Sequence, residues 1–178
     1  MLENEKKYIT EAQKGKKGAF GSLYDHYLPQ IYRFVYLKVS SKSTAEDLTH
    51  EVFLNAWKNL KGYTKTEFPF SSWLYQLARN EVIDFYRTKK KDVSIEDIEE
   101  DLLGIQEKVD LDEKLNLEKV RKLIFKLKPE QQDVVIMRFI EDLSHEEIAT
   151  AIEKSVGAVR IIQHRALNLL KELYGKNN

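Results

Sequence analysis

The segment LSHEEIATAIEKSVGAVRIIQHRALNLL, residues 143–170, constrains the fold of this chain more than any other. Ser144 and Glu147 have the Ser-x-x-Glu spacing of a capping box, which predicts the start of a helix. Ser155 offers a second N-cap only a few residues beyond the end of that helix. Because the connection is so short, the two predicted helices must meet at a steep angle, as they do in a helix-turn-helix.

The second helix of this pair separates apolar from polar residues. Apolar positions spaced three and four apart define its buried face: Val159, Ile162, Ala166, Leu169, Leu170 and Leu173. Arginine can bond a guanine edge and isoleucine can contact a thymine methyl group, whereas phosphate contacts only position a helix. The pattern predicts a DNA-binding surface composed of Ser155, Arg160, Ile161, His164, Arg165 and Lys171. A solvated basic face on an ordinary helical bundle is the alternative.

The composition excludes several classes of protein. The 178 residues include only 7 glycines and 3 prolines, and 42% are hydrophobic, which favours a compact and mostly helical fold. The chain has no cysteine, so it has no disulfide framework and no thiolate metal site. The N-terminus does not resemble a signal peptide, and no apolar run approaches the ~18 residues of a membrane span. We therefore expect a cytoplasmic protein without membrane insertion.

The net charge of zero conceals an uneven distribution of charge. Residues 1–90 hold 15 basic and 10 acidic residues, residues 91–118 hold 3 and 11, and residues 119–178 hold 11 and 8. Mildly basic flanks suit contact with phosphates, whereas the acidic segment repels DNA. Its periodicity is poor, which predicts a linker, although a charged and merely solvated linker is the alternative.

Helical periodicity runs through the rest of the chain, and no segment alternates like a strand. Helices are predicted at about 4–15, 18–39, 43–60, 71–90, 115–127, 129–141, 144–152 and 155–174. We expect an all-α fold of two small helical domains, residues 1–90 and 116–178, joined by an acidic linker at 91–115. The 28 residues of the acidic segment 91–118 could reach roughly 95 Å when extended. This reach would let one chain hold two DNA sites a couple of turns apart.

The predicted helix at 43–60 carries two different faces. Ser43 and Glu46 have the spacing of another capping box. Its buried stripe is Ala45, Leu48, Val52, Ala56 and Leu60, and a second face carries Asp47, Glu51, Leu54 and Lys58, flanked by His50 and Trp57. Acidic, apolar and aromatic residues together suit a protein partner better than DNA. A solvated face with Trp57 partly in the core is the alternative.

Aromatic residues gather around Pro69, just before the predicted helix at 71–90. They are Tyr63, Phe68, Phe70 and Trp73, and one side of the helix then displays Gln76, Asn80, Asp84 and Arg87. Stacking on aromatic rings contributes about 1–3 kcal/mol per unstacked base. A flipped base also needs groups that read its edge, and the Asn80 amide could supply one. The cluster predicts a site for single-stranded nucleic acid; simple core packing of these rings is the alternative.

Three stretches together resemble the sigma-70 family of bacterial RNA polymerase initiation factors, in its small extracytoplasmic function (ECF) subfamily. They are AEDLTHEVFLNAWKNL and FSSWLYQLARNEVIDFYR, similar to region 2 of the family, and LKPEQQDVVIMRFIEDLSHEEIATAI with SVGAVRIIQHRAL, similar to region 4. The resemblance covers nearly the whole chain in the family's order. Two residues depart from the pattern: His50 replaces a usual glutamine, and Glu153 replaces a frequent glycine, which is costly if that position needs a positive φ.

The resemblance implies a sigma factor that has no catalytic activity, cofactor or metal and that binds core RNA polymerase and promoter DNA. It places one set at the clamp helices of the largest polymerase subunit: Asp47, His50, Glu51, Phe53, Leu54, Asn55 and Trp57, with Phe53 serving contact or packing. It places a second set at the melted −10 element: Phe68, Phe70, Trp73, Gln76, Asn80, Asp84 and Arg87. The helix-turn-helix would read the −35 element, and region 4 would also bind the flap of the second subunit. An anti-sigma factor is a further partner common in the family.

Two rival functions can be compared with this reading. A stand-alone helix-turn-helix regulator would leave the 43–60 surface and the aromatic cluster unexplained. A metal-dependent hydrolase is suggested by His50-Glu51 and His145-Glu146, which begin like the zinc signature His-Glu-x-x-His. The fifth residue of each is not histidine, however, and no phosphate-binding loop is present. We therefore expect the chain not to be an enzyme.

Overall fold

A computed structural model describes residues 2–64, 69–92 and 119–175 of the chain. The helices are α1 (Glu5–Gln13), α2 (Lys17–Tyr36), α3 (Lys42–Asn59, followed by a short 3-10 turn at Leu60–Gly62), α4 (Phe70–Asp92), α5 (residues 119–125), α6 (Pro129–Phe139), α7 (His145–Ala151) and α8 (Val156–Gly175). Within these ranges no strand occurs. The predicted all-α fold is confirmed, and the predicted helix ends within the described residues differ from the observed ends by only a few residues. The start predicted for the fifth helix, residue 115, lies outside the described residues.

The start of α7 confirms the capping box predicted from the sequence. The Glu147 amide donates to the Ser144 hydroxyl at 3.1 Å, and the Ser144 amide donates to the Glu147 carboxylate at 2.8 Å. Leu143, directly before the cap, is 6% exposed. Two orphan amides of the first turn are thereby satisfied, which fixes where the helix-turn-helix begins.

The cap predicted for α3 is wrong. The N-cap is Ser41, whose hydroxyl accepts a hydrogen bond from the Thr44 amide at 3.1 Å, and the helix begins at Lys42. Ser43 therefore lies inside the first turn, where it is exposed. Glu46 is instead 4.0 Å from the Lys42 ammonium. Two serines that can both act as caps stand two positions apart, and local spacing alone does not decide between them.

The N-terminal half of the fold is built around α2. Its residues Leu23, Ile31, Phe34 and Val35 are buried, and α1, α3 and α4 all pack against it. The helix is 20 residues long although Pro29 lies inside it. Because α2 occupies the centre, the outward faces of α3 and α4 are left for contact with other molecules.

The two halves of the chain pack against each other. Helix α7 contacts α4, and buried residues of both halves, including Tyr75, Ile136 and Ile148, belong to one hydrophobic cluster. A smaller cluster of Leu127, Val135 and Ala166 holds α8 against α6. The predicted acidic linker, residues 91–115, lies almost entirely outside the described residues. None of the described helices is both long enough and apolar enough to cross a bilayer.

The observed cap of α3 can be tested with a matched pair of substitutions. We expect Ser41→Ala to lower the free energy of unfolding by about 1 kcal/mol, because an orphan amide loses its acceptor. Ser43→Ala, which removes an exposed hydroxyl in the same turn, should change it by less than about 0.5 kcal/mol. Urea unfolding followed by circular dichroism measures both. A larger loss for Ser43→Ala than for Ser41→Ala would contradict the observed cap.

Candidate nucleic-acid and partner interfaces

Helix α8 presents a polar face of the kind predicted for a DNA-reading helix. The Ser155 hydroxyl caps it by accepting from the Ala158 amide at 3.2 Å. Val159 and Ala166 on the inner face are fully buried. The exposed residues on the outer face are Arg160, Ile161, His164, Arg165, Asn168 and Lys171. Among them Ile161 is an apolar side chain that is 54% exposed.

The turn before α8 holds Glu153 in a backbone conformation that is unfavourable for a residue with a Cβ atom. Glu153 lies at φ 56°, in the left-handed region. Its amide donates to the Thr150 carbonyl at 3.2 Å, and the Lys154 amide donates to the Ala149 carbonyl at 2.9 Å, which together form a Schellman motif. His145 and Gln163 join α7 to α8 through a 2.7 Å hydrogen bond. The angle between the two helices is therefore fixed at both ends.

The outward face of α3 carries the mixture of residues predicted for a protein partner. Asp47, His50 and Glu51 are exposed, and Leu54 is 49% exposed. Behind them, Phe53 is buried and contacts the Tyr24 ring edge-on, with the ring centroids 4.7 Å apart. Asn55 is half-buried and donates to the Glu81 carboxylate.

An apolar groove runs beside this face, between α2 and α3. It has a volume of about 280 Å³ and is lined by Lys17, Phe20, Tyr24, His50, Phe53, Leu54 and Trp57. Trp57 is half-buried against Phe20, with the ring centroids 4.9 Å apart. Phe20 and Tyr24 were not among the residues predicted from the sequence. Their four-residue spacing places them on one face of α2, but it does not reveal that this face meets α3.

The predicted aromatic cluster forms, but its rings differ in their exposure. Tyr63, Phe70 and Trp73 lie within 5.1–5.5 Å of one another, measured between ring centroids. Phe70 is only 1% exposed and also packs on Tyr27, whereas Trp73 is half-buried. Phe68 lies outside the described residues. Of the rings that the structure describes here, Phe70 therefore supports the cluster from below, and Trp73 offers part of its face.

The polar side of α4 also divides into two parts. Gln76, near its start, is half-buried and donates to the Glu153 carboxylate at 2.9 Å. Further along, Asn80 is exposed, and the exposed Asp84 and Arg87 form an ion pair at 3.1 Å. The predicted residues therefore share one side of the helix, but Gln76 in its second turn contacts the helix-turn-helix.

Comparison with known proteins identifies the family. The family model "Sigma-70 region 2" matches residues 23–92, and "Sigma-70, region 4" matches residues 123–172. The chain belongs to the sigma-70 family. Region 2 thus contains α3, the aromatic cluster and α4, and region 4 contains α6 and α7 with most of α8. The matched segments fall largely within the two helical domains predicted from the sequence, 1–90 and 116–178.

Individual relatives agree with this assignment. The chain is 33% identical over 168 residues to the ECF RNA polymerase sigma factor BldN of Streptomyces coelicolor, covering 93% of this chain and 64% of that protein. It is 29% identical to SigW of Bacillus subtilis, covering 94% and 95% respectively. A solved structure of CnrH with the cytosolic domain of CnrY aligns with a TM-score of 0.78 over 99% of this chain and 100% of that one. At 21% identity, that likeness establishes a shared fold.

The strain at Glu153 of region 4 can be isolated by comparing two substitutions at the same position. Alanine keeps the Cβ that makes a left-handed backbone unfavourable, whereas glycine removes it. Both lose the carboxylate that accepts from Gln76, so that contact cancels in the comparison. We expect the Glu153→Gly chain to be more stable than the Glu153→Ala chain by about 1 kcal/mol. Urea denaturation measures the difference, and equal stabilities would argue against strain in the turn.

Proposed function

We propose that this chain binds core RNA polymerase and directs transcription initiation at specific promoters. The observation that carries the proposal is the presence, in one sigma-70 chain, of separate exposed faces on α3 and α8 at the residues predicted for polymerase and for DNA. A stand-alone helix-turn-helix regulator is less favoured, because it gives the region 2 match and the α3 face no role. We further propose that the chain acts where polymerase acts, in the cytoplasm, and that it has no catalysis of its own.

The polymerase contact is proposed for the outward face of α3. Asp47, His50, Glu51 and Leu54 would meet the clamp helices of the largest subunit, and the neighbouring apolar groove would accept a side chain from them. Exposed charges at the rim of such a contact set orientation and association rate, while buried apolar anchors contribute most of the affinity. Phe53, Asn55 and Trp57 would hold this face in shape. Region 4 would bind the flap of the second subunit, and an anti-sigma factor is a further candidate partner.

Reading of the promoter is proposed for two separate helices. On α8, Arg160, Ile161, His164 and Arg165 would face base edges of the −35 element, with Ser155 and Lys171 near phosphates. On α4, Trp73 and Asn80 would receive an unstacked base of the −10 element, flanked by Gln76, Asp84 and Arg87. Phe68 would add a further contact, and the buried Phe70 would support Trp73 from below. This division assigns duplex recognition and strand opening to different parts of the molecule.

The division of labour can be tested by run-off transcription with core polymerase. We expect Arg160→Ala to weaken binding of a −35 duplex roughly 5- to 150-fold, because a bidentate contact contributes about 1–3 kcal/mol of discrimination. Trp73→Ala should leave duplex binding unchanged and reduce open-complex formation, measured by permanganate reactivity. Lys171→Ala serves as a control that weakens all duplexes alike. If both substitutions blocked the same step, the two-site assignment would be wrong.

The polymerase contact proposed for α3 can be tested with a matched control on the same domain. Leu54 on α3 and Ile83 on α4 are exposed to similar extents, 49% and 41%. Leu54→Glu should weaken binding to core polymerase at least about tenfold, the effect of an interface anchor worth about 1.4 kcal/mol or more. Ile83→Glu adds the same charge outside the predicted face and should bind normally. Titration of a labelled chain with core polymerase measures both affinities. An equal loss of affinity in the two variants would contradict the assignment of the polymerase contact to α3.

A further inference from the structure

Helix α1 lies before the part of the chain that the region 2 model matches, yet both of its ends contact residues that hold the aromatic cluster at the start of α4. The matched segment begins at residue 23, whereas α1 spans Glu5–Gln13. The helix packs against α2 and against the 3-10 turn at Leu60–Gly62. Its residues Ile9 and Ala12 are buried. Helix α1 is therefore a fixed part of the fold, and its two polar ends can act on the residues beside them.

Gln13, the last residue of α1, bonds to the stretch of backbone that carries the Tyr63 ring. Its side-chain amide nitrogen donates to the Leu60 carbonyl at 3.0 Å and to the Tyr63 carbonyl at 2.7 Å. These two carbonyls lie at the start of the 3-10 turn and directly after it. A glutamine amide has two hydrogens to donate, and here both are used on a single turn. The turn is thus tied to α1 at the point where the chain leaves α3 for the cluster.

The first residue of α1 supports the cluster from another side. The Glu5 carboxylate accepts a hydrogen bond from the Tyr27 hydroxyl of α2. The Tyr27 ring packs on Phe70, with the ring centroids 5.6 Å apart. Burial, and then the charge of Glu5, raise the pKa of Tyr63 to about 12, so this carboxylate lies near that ring as well. The two ends of α1 therefore act on both Phe70 and Tyr63.

Trp73 is packed against the same two rings. The centroid of its ring lies 5.1 Å from that of Tyr63 and 5.5 Å from that of Phe70. Because Trp73 is half-buried, the rings behind it determine how the rest of its face is presented. A binding group recognises its ligand well only when packing holds it in one position. Helix α1 thus influences the position of the indole without touching it.

We propose that Gln13 is a positioning residue for the −10 site, because it fixes the turn that carries Tyr63 and thereby the Trp73 indole that would receive an unstacked base. The inference rests on the function proposed above for Trp73. Both amide hydrogens of Gln13 are used within the protein, so the residue acts through the rings rather than on DNA. Removing them would leave two carbonyls to bond water, and the turn could then move away from α1. Base capture would weaken although every residue that touches the base is still present.

The first test measures whether Gln13 holds the turn in the free chain. Gln13→Met keeps the length of the side chain and removes both amide donors. Hydrogen exchange read by mass spectrometry should show faster exchange in peptides covering Leu60–Gly62 and Tyr63, because a turn that opens locally loses its protection. Exchange in α2 and the far-UV helix signal should stay at their parental values. Gln30→Met makes the same substitution at a half-buried position of α2 and should leave exchange in the turn unchanged.

The second test measures base capture by holoenzyme formed from core polymerase and the full chain. The probes are single-stranded oligonucleotides with the non-template −10 sequence of a promoter found by run-off transcription, either intact or with one base removed. In the parent, removing the captured base should lower affinity roughly 5- to 150-fold, the contribution of one stacked base. Trp73→Ala should bind the intact strand more weakly than the parent does. Gln13→Met should lose at least about threefold affinity for the intact strand, because a loosely held ring stacks less well. It should lose none for the strand that lacks the captured base.

The pattern of losses distinguishes positioning from a general loss of structure. Faster exchange in the turn, together with a loss of affinity confined to the intact strand, supports positioning by Gln13. Equal losses on both strands, parental binding of the intact strand, parental exchange in the turn, or the same losses in Gln30→Met would overturn it. If Gln13→Met lost its helix signal, Gln13→Glu, which keeps the size and replaces the donors with an acceptor, would be measured instead. Loss of helix in both variants would also overturn the inference. Failure of Trp73→Ala to weaken binding would instead refute the proposed −10 site.

Discussion

The position of Asp133 governs how this molecule is assembled. A carboxylate that has lost nearly all contact with water must be compensated by nearby charge, and here the compensation comes from ion pairs of Asp133, in α6, with Lys38 and Arg79. Because Lys38 lies two residues after the end of α2 and Arg79 lies in the middle of α4, satisfying this one side chain sets three helices relative to one another. The capping box of α7 and the Schellman turn then fix the orientation of α8 relative to these helices.

The exposed faces of α3 and α8 carry different chemical groups. On α3, acidic and apolar groups face solvent above a layer of aromatic rings, whereas on α8 basic groups and one isoleucine face solvent above an aliphatic layer. Substitutions of exposed residues in the outer layer therefore test the proposed contacts, and substitutions of buried residues in the inner layer test stability.

Features that depend on residues close together in the sequence could be predicted, whereas features that depend on contacts between distant segments could not. Apolar spacing predicted the helices, and the four-residue signal of Ser144 and Glu147 predicted a cap that the structure confirms. The same local reasoning selected Ser43, which has a glutamate three residues later, whereas the observed cap, Ser41, does not. It also treated Phe70 as available to a base, although its ring is covered by Tyr27 of another helix.

The contact between the halves lay beyond such reasoning altogether. In the sequence, Asp133 is one charged residue in a helix with many apolar neighbours, and nothing local pairs it with Lys38 or Arg79. Helical periodicity identifies which face of a helix is apolar, but it does not identify the helix against which that face packs. The resemblance to a known family likewise supplied the roles of separate regions rather than their arrangement in the free chain.

The placement of the two tryptophans of the chain has a practical consequence. Trp57 lies on Phe20 beside the α3 groove, and Trp73 lies in the ring cluster at the start of α4. Each indole is half-buried, so its fluorescence depends on whether a neighbour shields it from water. With either tryptophan replaced by phenylalanine, the remaining one becomes a native optical probe of a single surface. The molecule thus carries an intrinsic reporter at each of the two proposed recognition sites in region 2, readable without any added dye.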